Sequence, residues 1–126
     1  MGLRSFELRS SGTPEPLLLT SQLERLVQSC QYSAGLMQVY VPGSGAALLS
    51  VDCPEGDLSP LQQTIADALR LSENPHLLSA LLGTRLALPF QRQKLLRATW
   101  QEIALVEWMP MARWHQIQVL LTEARP

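Results

Sequence analysis

Residues 100–108 read Trp-Gln-Glu-Ile-Ala-Leu-Val-Glu-Trp, and this stretch decides how the chain must be layered. Successive side chains of a strand point to opposite faces. Here one face carries Gln101, Ile103, Leu105 and Glu107, and the other carries Trp100, Glu102, Ala104, Val106 and Trp108. Both faces are largely apolar. We therefore expect this strand to be covered on both sides, either in the middle of a sandwich or at a subunit contact.

The rest of the chain divides into short strands and amphipathic helices. We predict strands over 3–8, 17–19, 36–41, 46–51, 86–90, 99–108 and 114–121. Three helix starts separate them, at Ser21, at Ser59-Pro60 and at Asn74-Pro75, and Gly83 suits the end of the third helix. The order ββαββααβββ, about seven strands with two to three helices and no βαβ alternation, is typical of an α+β fold.

The first two helix starts match a capping box. Ser21 is followed by Glu24, and Ser59-Pro60 is followed by Gln62, which places an acceptor at each end of the first turn. We predict that Ser21 and Ser59 cap their helices and that Pro60 takes the first helical position.

Strands 36–41 and 46–51 are separated only by Pro42-Gly43-Ser44-Gly45, which predicts an antiparallel hairpin. The loop lacks the lysine of a phosphate-binding loop, does not open a helix, and lacks the spacing of a nucleophile turn. Its glycines leave backbone amides free to approach an anion, so Gly43, Ser44 and Gly45 are candidate ligand-binding residues. The alternative is an ordinary hairpin turn.

Composition limits the function classes. The 126 residues favour one domain, 1–126, and the 17% charged share is below the usual ~25%, which predicts apolar surface hidden against another subunit. A net charge of −1 without a basic cluster argues against nucleic-acid binding, and no apolar run is long enough to span a membrane. Cys30 and Cys53 share no C-x-x-C spacing, and the sequence shows no signal peptide, so we expect reduced thiols in a cytoplasmic protein. An intramolecular disulfide is the alternative.

Few residues carry candidate chemistry. His76 opens the third helix, where a neutral imidazole could act as a base or ligate a metal, or could simply be exposed. Glu107 lies among apolar neighbours and needs an arginine, a metal or a substrate as partner, unless it faces water. Gln101 shares its face but lies roughly 20 Å away, so the two could serve one site only across a subunit interface.

Two further polar residues, His115 and Asp52, are weaker candidates for a site. His115 is expected to pack or to lie on the surface, and with only two histidines one chain cannot form a three-histidine metal site. Asp52 ends the strand over 46–51 and is either a ligand or a turn residue.

Three segments together resemble the YjbQ-like family, whose members are described as secondary thiamine-phosphate synthases. They are VYVPGSGAALLSVD (39–52), NPHLLSALLG (74–83) and RATWQEIALVEW (97–108). The resemblance implies a two-sheet β-sandwich that assembles as a homotrimer. It also implies that His76, Gln101 and Glu107 are catalytic, that Asp52 binds ligand, and that a divalent metal held by His76 and Glu107 is a candidate cofactor.

The chain also departs from the family pattern. Gly43, Ser44 and Gly45 replace a histidine and two threonines, a Tyr-Arg-His segment before Asn74 is missing, and residues 109–112 replace an Asp-Gly-Pro-Arg stretch.

Two main hypotheses for the function follow. The protein either joins a pyrimidine pyrophosphate to a thiazole phosphate with an altered or inactive site, or it is a non-catalytic homotrimer that binds a small phosphorylated ligand or acts as a scaffold. A module that recruits an unrelated protein is the third hypothesis.

Overall fold

The computed structural model describes residues 2–13, 15–52 and 57–125. These residues form eight strands and three helices, in the order β1 (Gly2–Arg9), β2 (Leu17–Leu18), α1 (Thr20–Ser29), β3 (Ala34–Tyr40), β4 (Ala46–Asp52), α2 (Leu61–Leu69), α3 (Pro75–Leu82), β5 (Arg85–Gln91), β6 (Lys94–Leu95), β7 (Gln101–Glu107) and β8 (Trp114–Glu123). The predicted α+β class and order are confirmed, with the two-residue β6 added.

The strands form two antiparallel sheets. The larger sheet has the order β1-β8-β3-β5-β6, and the smaller has the order β2-β7-β4. In the smaller sheet, Ala46 of β4 lies opposite Glu107 of β7, and Asp52 lies opposite Gln101. Glu107 therefore lies beside the start of β4, and Gln101 lies beside its end.

The predicted hairpin over residues 36–51 is wrong. β3 pairs with β5 and β8 of the larger sheet, whereas β4 pairs with β7 of the smaller sheet. The burial patterns explain the separation. β3 alternates between buried and exposed positions after Leu36, whereas β4 begins with three consecutive buried residues, Ala46, Ala47 and Leu48. A strand apolar on both faces requires a layer covered on both sides, so the 42–45 loop carries the chain from one sheet to the other.

The smaller sheet is the middle of three layers. The main core fills the space between the two sheets and includes Ile103 and Leu105 of β7, with Leu23 and Val27 of α1. A second cluster joins Val106 and Trp108 to residues of α2 and α3 on the other side. The interpretation of β7 as a strand in the middle of a sandwich is confirmed.

The helix caps differ from two of the three predictions. α1 has Leu19 at its N-cap, so Ser21 lies inside the first turn, and Thr20 instead hydrogen-bonds Glu102 through its hydroxyl, which also accepts from the Ile103 amide at 2.9 Å. α2 has Pro60 at its N-cap without a side-chain bond. The burial of Thr20 against β7 outweighs the local capping pattern.

The third helix follows its prediction. The Asn74 side chain accepts from the Leu77 amide at 3.2 Å, Pro75 is the first helical residue, and Gly83 at φ +97° ends the helix.

Cys30 is a buried free thiol, and Cys53 lies outside the described residues. Among the described helices, none has both the length and the apolar character needed to cross a membrane.

Candidate functional site

The 42–45 loop is held at both ends at the place where the chain changes sheets. The Val41 amide donates to the Thr84 carbonyl at 3.0 Å, and the Trp108 amide donates to the Gly45 carbonyl at 2.8 Å. These bonds attach the two ends of the loop to the start of β5 and to the end of β7. The two ends of the loop are therefore fixed, and residues 42–44 between them are exposed.

Ser79 of α3 joins this loop to the first turn of its helix. The Gly45 amide donates to the Ser79 hydroxyl at 3.0 Å, and that hydroxyl donates to the His76 carbonyl at 3.0 Å. Ser79 is buried, at 2% exposure, so both bonds are shielded from water. The first turn of α3 is thus fixed directly beside the loop.

Ser44 and His76 contact each other across this junction. The Ser44 Oγ lies 2.7 Å from His76 Nδ1, a normal hydrogen-bond distance. Both side chains are exposed, and both line a cavity of about 430 Å³. A hydroxyl and an imidazole are therefore paired at the rim of an accessible space.

Backbone, small polar groups and one cation line the cavity. The lining residues are Gly43, Ser44, His76, Ser79, Ala80, Gly83, Thr84 and Arg85. Within the described part of the chain, the Arg85 guanidinium takes part in no ion pair or side-chain hydrogen bond. Since no carboxylate is among these residues, the cavity favours a negatively charged ligand.

Glu107 lies behind the loop, buried between the two sheets at 4% exposure. Arg113 donates to it twice, from Nε at 2.6 Å and from Nη2 at 2.8 Å, and His115 donates from Nε2 at 2.9 Å. Ser10 adds a longer contact at 3.4 Å. Its partner is therefore an arginine together with a histidine, and the alternative of a water-facing glutamate is wrong.

These neighbours keep Glu107 ionised. Burial raises the pKa of the Glu107 carboxyl, but hydrogen bonds from His115 and Arg113, with their charge, more than offset burial and hold the pKa below its usual range. The same Arg113 Nη2 also donates to the Ser44 carbonyl at 2.7 Å. The buried charge and the exposed loop are consequently coupled through one guanidinium.

The predicted site residues separate into two groups. Gly43, Ser44 and His76 line the cavity, and Gly45 and Glu107 lie directly behind it. Gln101 and exposed Asp52 lie at the opposite end of β7 and β4, roughly 20 Å away. Gln101 contacts Ser50 and accepts from the Ala98 amide at 2.9 Å, which stabilises the local turn. A shared role for both groups stays a prediction that requires a second chain.

The residues do not fit the metal considered for His76 and Glu107. Both Glu107 oxygens accept from charged or polar donors, and His76 Nδ1 is engaged with Ser44. Among the described residues, no group of three or more histidine, cysteine, aspartate and glutamate side chains could hold a metal ion. We therefore assign no step to a metal.

Four residues of this region were missed as site residues by sequence reasoning: Ser79, Arg85, Arg113 and His115. The alternation of β8 places His115 on the buried face with Ile117, which could have identified it as the partner of Glu107. No motif or periodicity in the sequence marks Arg113 as a site residue. The position of Arg85 in the cavity depends on how β5 lies beside the 42–45 loop.

Comparison with known proteins agrees with this architecture. The family model described as UPF0047 protein YjbQ-like matches residues 4–122. The chain belongs to the YjbQ-like family. This YjbQ-like chain is 29% identical over 112 residues to a UPF0047 protein of Archaeoglobus fulgidus, covering 80% of this chain and 86% of that protein.

Solved structures share the fold. A hypothetical protein from Aeropyrum pernix K1 matches with a TM-score of 0.84 at 21% identity, covering 98% of this chain and 100% of that one. A protein of unknown function from Sulfolobus solfataricus P2 matches with a TM-score of 0.78 at 25% identity, covering 97% and 99%. The predicted family and its two-sheet fold are confirmed, whereas these relatives assign no activity to this YjbQ-like chain.

The hydrogen bonds of Glu107 with Arg113 and His115 predict a loss of stability in acid. Since the folded pKa is depressed, the charge stabilises the protein above the ordinary glutamate pKa of about 4.3, and this contribution is lost as pH falls through the folded value. We expect Glu107→Gln to lower the free energy of unfolding by on the order of 2 kcal/mol at pH 7, with the deficit shrinking below about pH 4. Urea unfolding across this pH range measures it.

Glu15→Gln is the matched control, because Glu15 is exposed in the segment before β2 and should change the free energy of unfolding by less than about 0.5 kcal/mol. A deficit that stays constant into acid, or equal deficits for both variants, would contradict the assigned role of Glu107.

The two loop glycines predict different costs for the same substitution. Both have positive φ, +104° at Gly43 and +88° at Gly45, so alanine strains the backbone by about 1–2 kcal/mol at either position. A Cβ at Gly43 meets nothing within 4 Å, whereas one at Gly45 would lie 2.5 Å from Met109 Cγ and 3.1 Å from Arg113 Nη2. We expect Gly45→Ala to cost at least about 1 kcal/mol more than Gly43→Ala in urea unfolding. Equal costs would show that the loop is not packed as described.

Proposed function

We propose that this protein binds a small phosphorylated ligand in the Ser44–His76 cavity. The observation that carries the proposal is the lining: one unpaired arginine, a histidine, hydroxyls and backbone, with no carboxylate among the described lining residues. Phosphate oxygens prefer guanidinium and backbone N–H donors. Arg85 would supply the charge, and Ser44 and His76 would supply directional hydrogen bonds.

The loop amides support the same ligand class. Within the described chain, the amides of Gly43 and Ser44 donate to no acceptor, whereas the Gly45 amide is bound to Ser79. Glycine at position 43 lets a ligand approach the backbone closely, because no side chain stands in its way. An anion accepted by these amides would also meet Arg85 in the same cavity.

A thiamine-phosphate-synthase-type reaction is the second candidate for this site. Its substrates both carry phosphate groups of the kind that the cavity fits. The reaction displaces pyrophosphate, whose negative charge must be neutralised in the transition state. Arg85 and His76 are the cavity groups that could contribute, since Glu107 is already paired with Arg113. Binding without this turnover is therefore the primary proposal.

We further propose self-association as a homotrimer through the outer face of the larger sheet. This face carries a groove of about 590 Å³ lined by Leu3, Tyr40, Leu120 and neighbouring glutamines, with Arg85 at its margin. Leu3 is 65% exposed and Tyr40 is 43% exposed. Adjacent apolar side chains of this kind are commonly covered by another subunit. A second chain is the occupant consistent with the low charge content.

Phosphate titration tests the binding proposal. We expect inorganic phosphate to shift the His76 ring resonances in NMR spectra with a saturable curve that weakens as ionic strength rises. Arg85→Gln should weaken the affinity about tenfold or more, because a charge-assisted hydrogen bond is lost. Arg25→Gln, on the exposed side of α1, removes the same charge and should leave the affinity unchanged.

Equal weakening by both arginine variants would show non-specific charge attraction and would overturn the cavity as the site. Assay of the same protein with both phosphorylated substrates and Mg²⁺ separates the two candidates. Thiamine phosphate above the no-enzyme background, lost in Arg85→Gln, would favour the synthase reaction over binding alone.

Sedimentation analysis tests the trimer. We expect the unmodified protein to sediment as a trimer and Leu3→Lys to shift it toward monomer, because a buried lysine would lack a partner. Leu81→Lys is the matched control, since Leu81 is 60% exposed on α3 at the opposite layer. A monomeric unmodified protein would contradict the trimer, and a Leu3→Lys trimer would contradict this face.

A further inference from the structure

The contact between Ser44 and His76 has the geometry of a nucleophile and its base. We propose that Ser44 accepts an acyl group from a small carboxylic ester or mixed anhydride that carries a phosphate, with His76 as general base. The nature of the substrate rests on the proposed phosphate site. The nucleophile itself rests only on the geometry of the loop and α3.

The Ser44–His76 distance suits proton transfer from the hydroxyl to the ring. The Ser44 Oγ lies 2.7 Å from His76 Nδ1, within the 2.6–3.2 Å reach that a general base requires. When Nδ1 accepts this bond, the ring carries its proton on Nε2. Both side chains are exposed, so an ester can reach the hydroxyl from the cavity without any rearrangement of the fold.

Surrounding bonds hold both partners in place. Arg113 donates to the Ser44 carbonyl at 2.7 Å while its other contacts anchor it to buried Glu107. On the opposite side, Ser79 binds the His76 carbonyl and accepts from the Gly45 amide, each at 3.0 Å. The backbone that carries each member of the dyad is therefore fixed before a substrate arrives, which reduces the cost of orientation.

Donors for a developing oxyanion are also present. The backbone amides of Gly43 and Ser44 donate to no acceptor within the described residues. Free amides beside a nucleophile stabilise the negative oxygen of a tetrahedral intermediate. Gly43 has no side chain that could cover them, and even an added Cβ at this position would meet no atom within 4 Å. No side chain at position 43 therefore blocks the approach of a substrate carbonyl to the backbone of the loop.

The reaction balances without a metal or redox partner. The Ser44 oxygen forms a bond to the carbonyl carbon, its proton passes to His76 Nδ1, and the bond from that carbon to the leaving oxygen breaks. His76 returns the proton to the leaving group. Water then attacks the acyl-serine with His76 as base, which releases the carboxylic acid and restores the hydroxyl. Arg85 would hold the phosphate of the substrate.

Acetylation by a neutral ester tests the nucleophile apart from the phosphate site. We expect p-nitrophenyl acetate to release p-nitrophenolate in a burst and to leave an acetyl group on Ser44, located by peptide mass spectrometry. Ser44→Ala should abolish this adduct, and His76→Gln should slow its formation about 100-fold or more. Ser72→Ala is the matched control, because Ser72 is exposed and lies outside the cavity, and it should react at the original rate.

An acetyl group found only on Lys94 or the amino terminus, or a rate unchanged in Ser44→Ala, overturns the proposal. Circular dichroism of each variant shows whether the fold is retained. An unchanged spectrum is expected, since Ser44 and His76 are exposed. If His76→Gln unfolds, His76→Asn at the same position supplies the comparison.

Acetyl phosphate distinguishes the failure of this inference from failure of phosphate binding. We expect Arg85→Gln to slow acetylation by acetyl phosphate about tenfold more than it slows the reaction with p-nitrophenyl acetate, which carries no phosphate. Ser44 acetylation without any Arg85 dependence would retain the nucleophile and reject the phosphate-bearing substrate. Phosphate binding without acetylation by either reagent would reject the nucleophile and retain the binding site.

Discussion

The Glu107 carboxylate, buried between the two sheets, is the group on which the arrangement of the site depends. An ionised carboxylate in that position requires hydrogen-bond donors and a positive charge. Arg113 supplies both, and His115 adds a further donor, from the segment that begins β8. Those contacts fix the end of β7 against the start of β8. Because Arg113 also binds the Ser44 carbonyl, the interior charge sets the position of an exposed loop.

The layering could be predicted from the sequence because it follows from burial. Residues 100–108 are apolar on both faces, and only a strand covered on two sides accommodates that pattern. The pairing of β3 with β4 could not be predicted in the same way. A short glycine-containing loop suits a hairpin and a change of sheet equally well, and the decision lies with distant partners, β5 and β8 for one strand and β7 for the other.

A site residue could be predicted where its own local sequence marks it. Ser44 and His76 were each identified from the local sequence, Ser44 by its glycines and His76 by its helix start, and the fold brings them into contact. Arg85 and Arg113 belong to segments whose sequence gives no indication of the cavity, so their roles depend on tertiary contacts alone. Gln101 and Asp52 were predicted as site residues from the sequence, but both lie at the end of the smaller sheet that is far from the cavity.

The 42–45 loop offers the cavity mainly backbone, with Ser44 as its one polar side chain. Gly43 places no side chain over the backbone amides of the loop, and even an added Cβ there would meet no atom within 4 Å. Such amides contribute only if they are already oriented, since ordering a glycine loop on binding is costly. Arg113, Ser79 and the Trp108 amide provide that order in advance. In the proposed binding mode, a ligand would therefore be held in part by backbone groups whose position the rest of the fold sets.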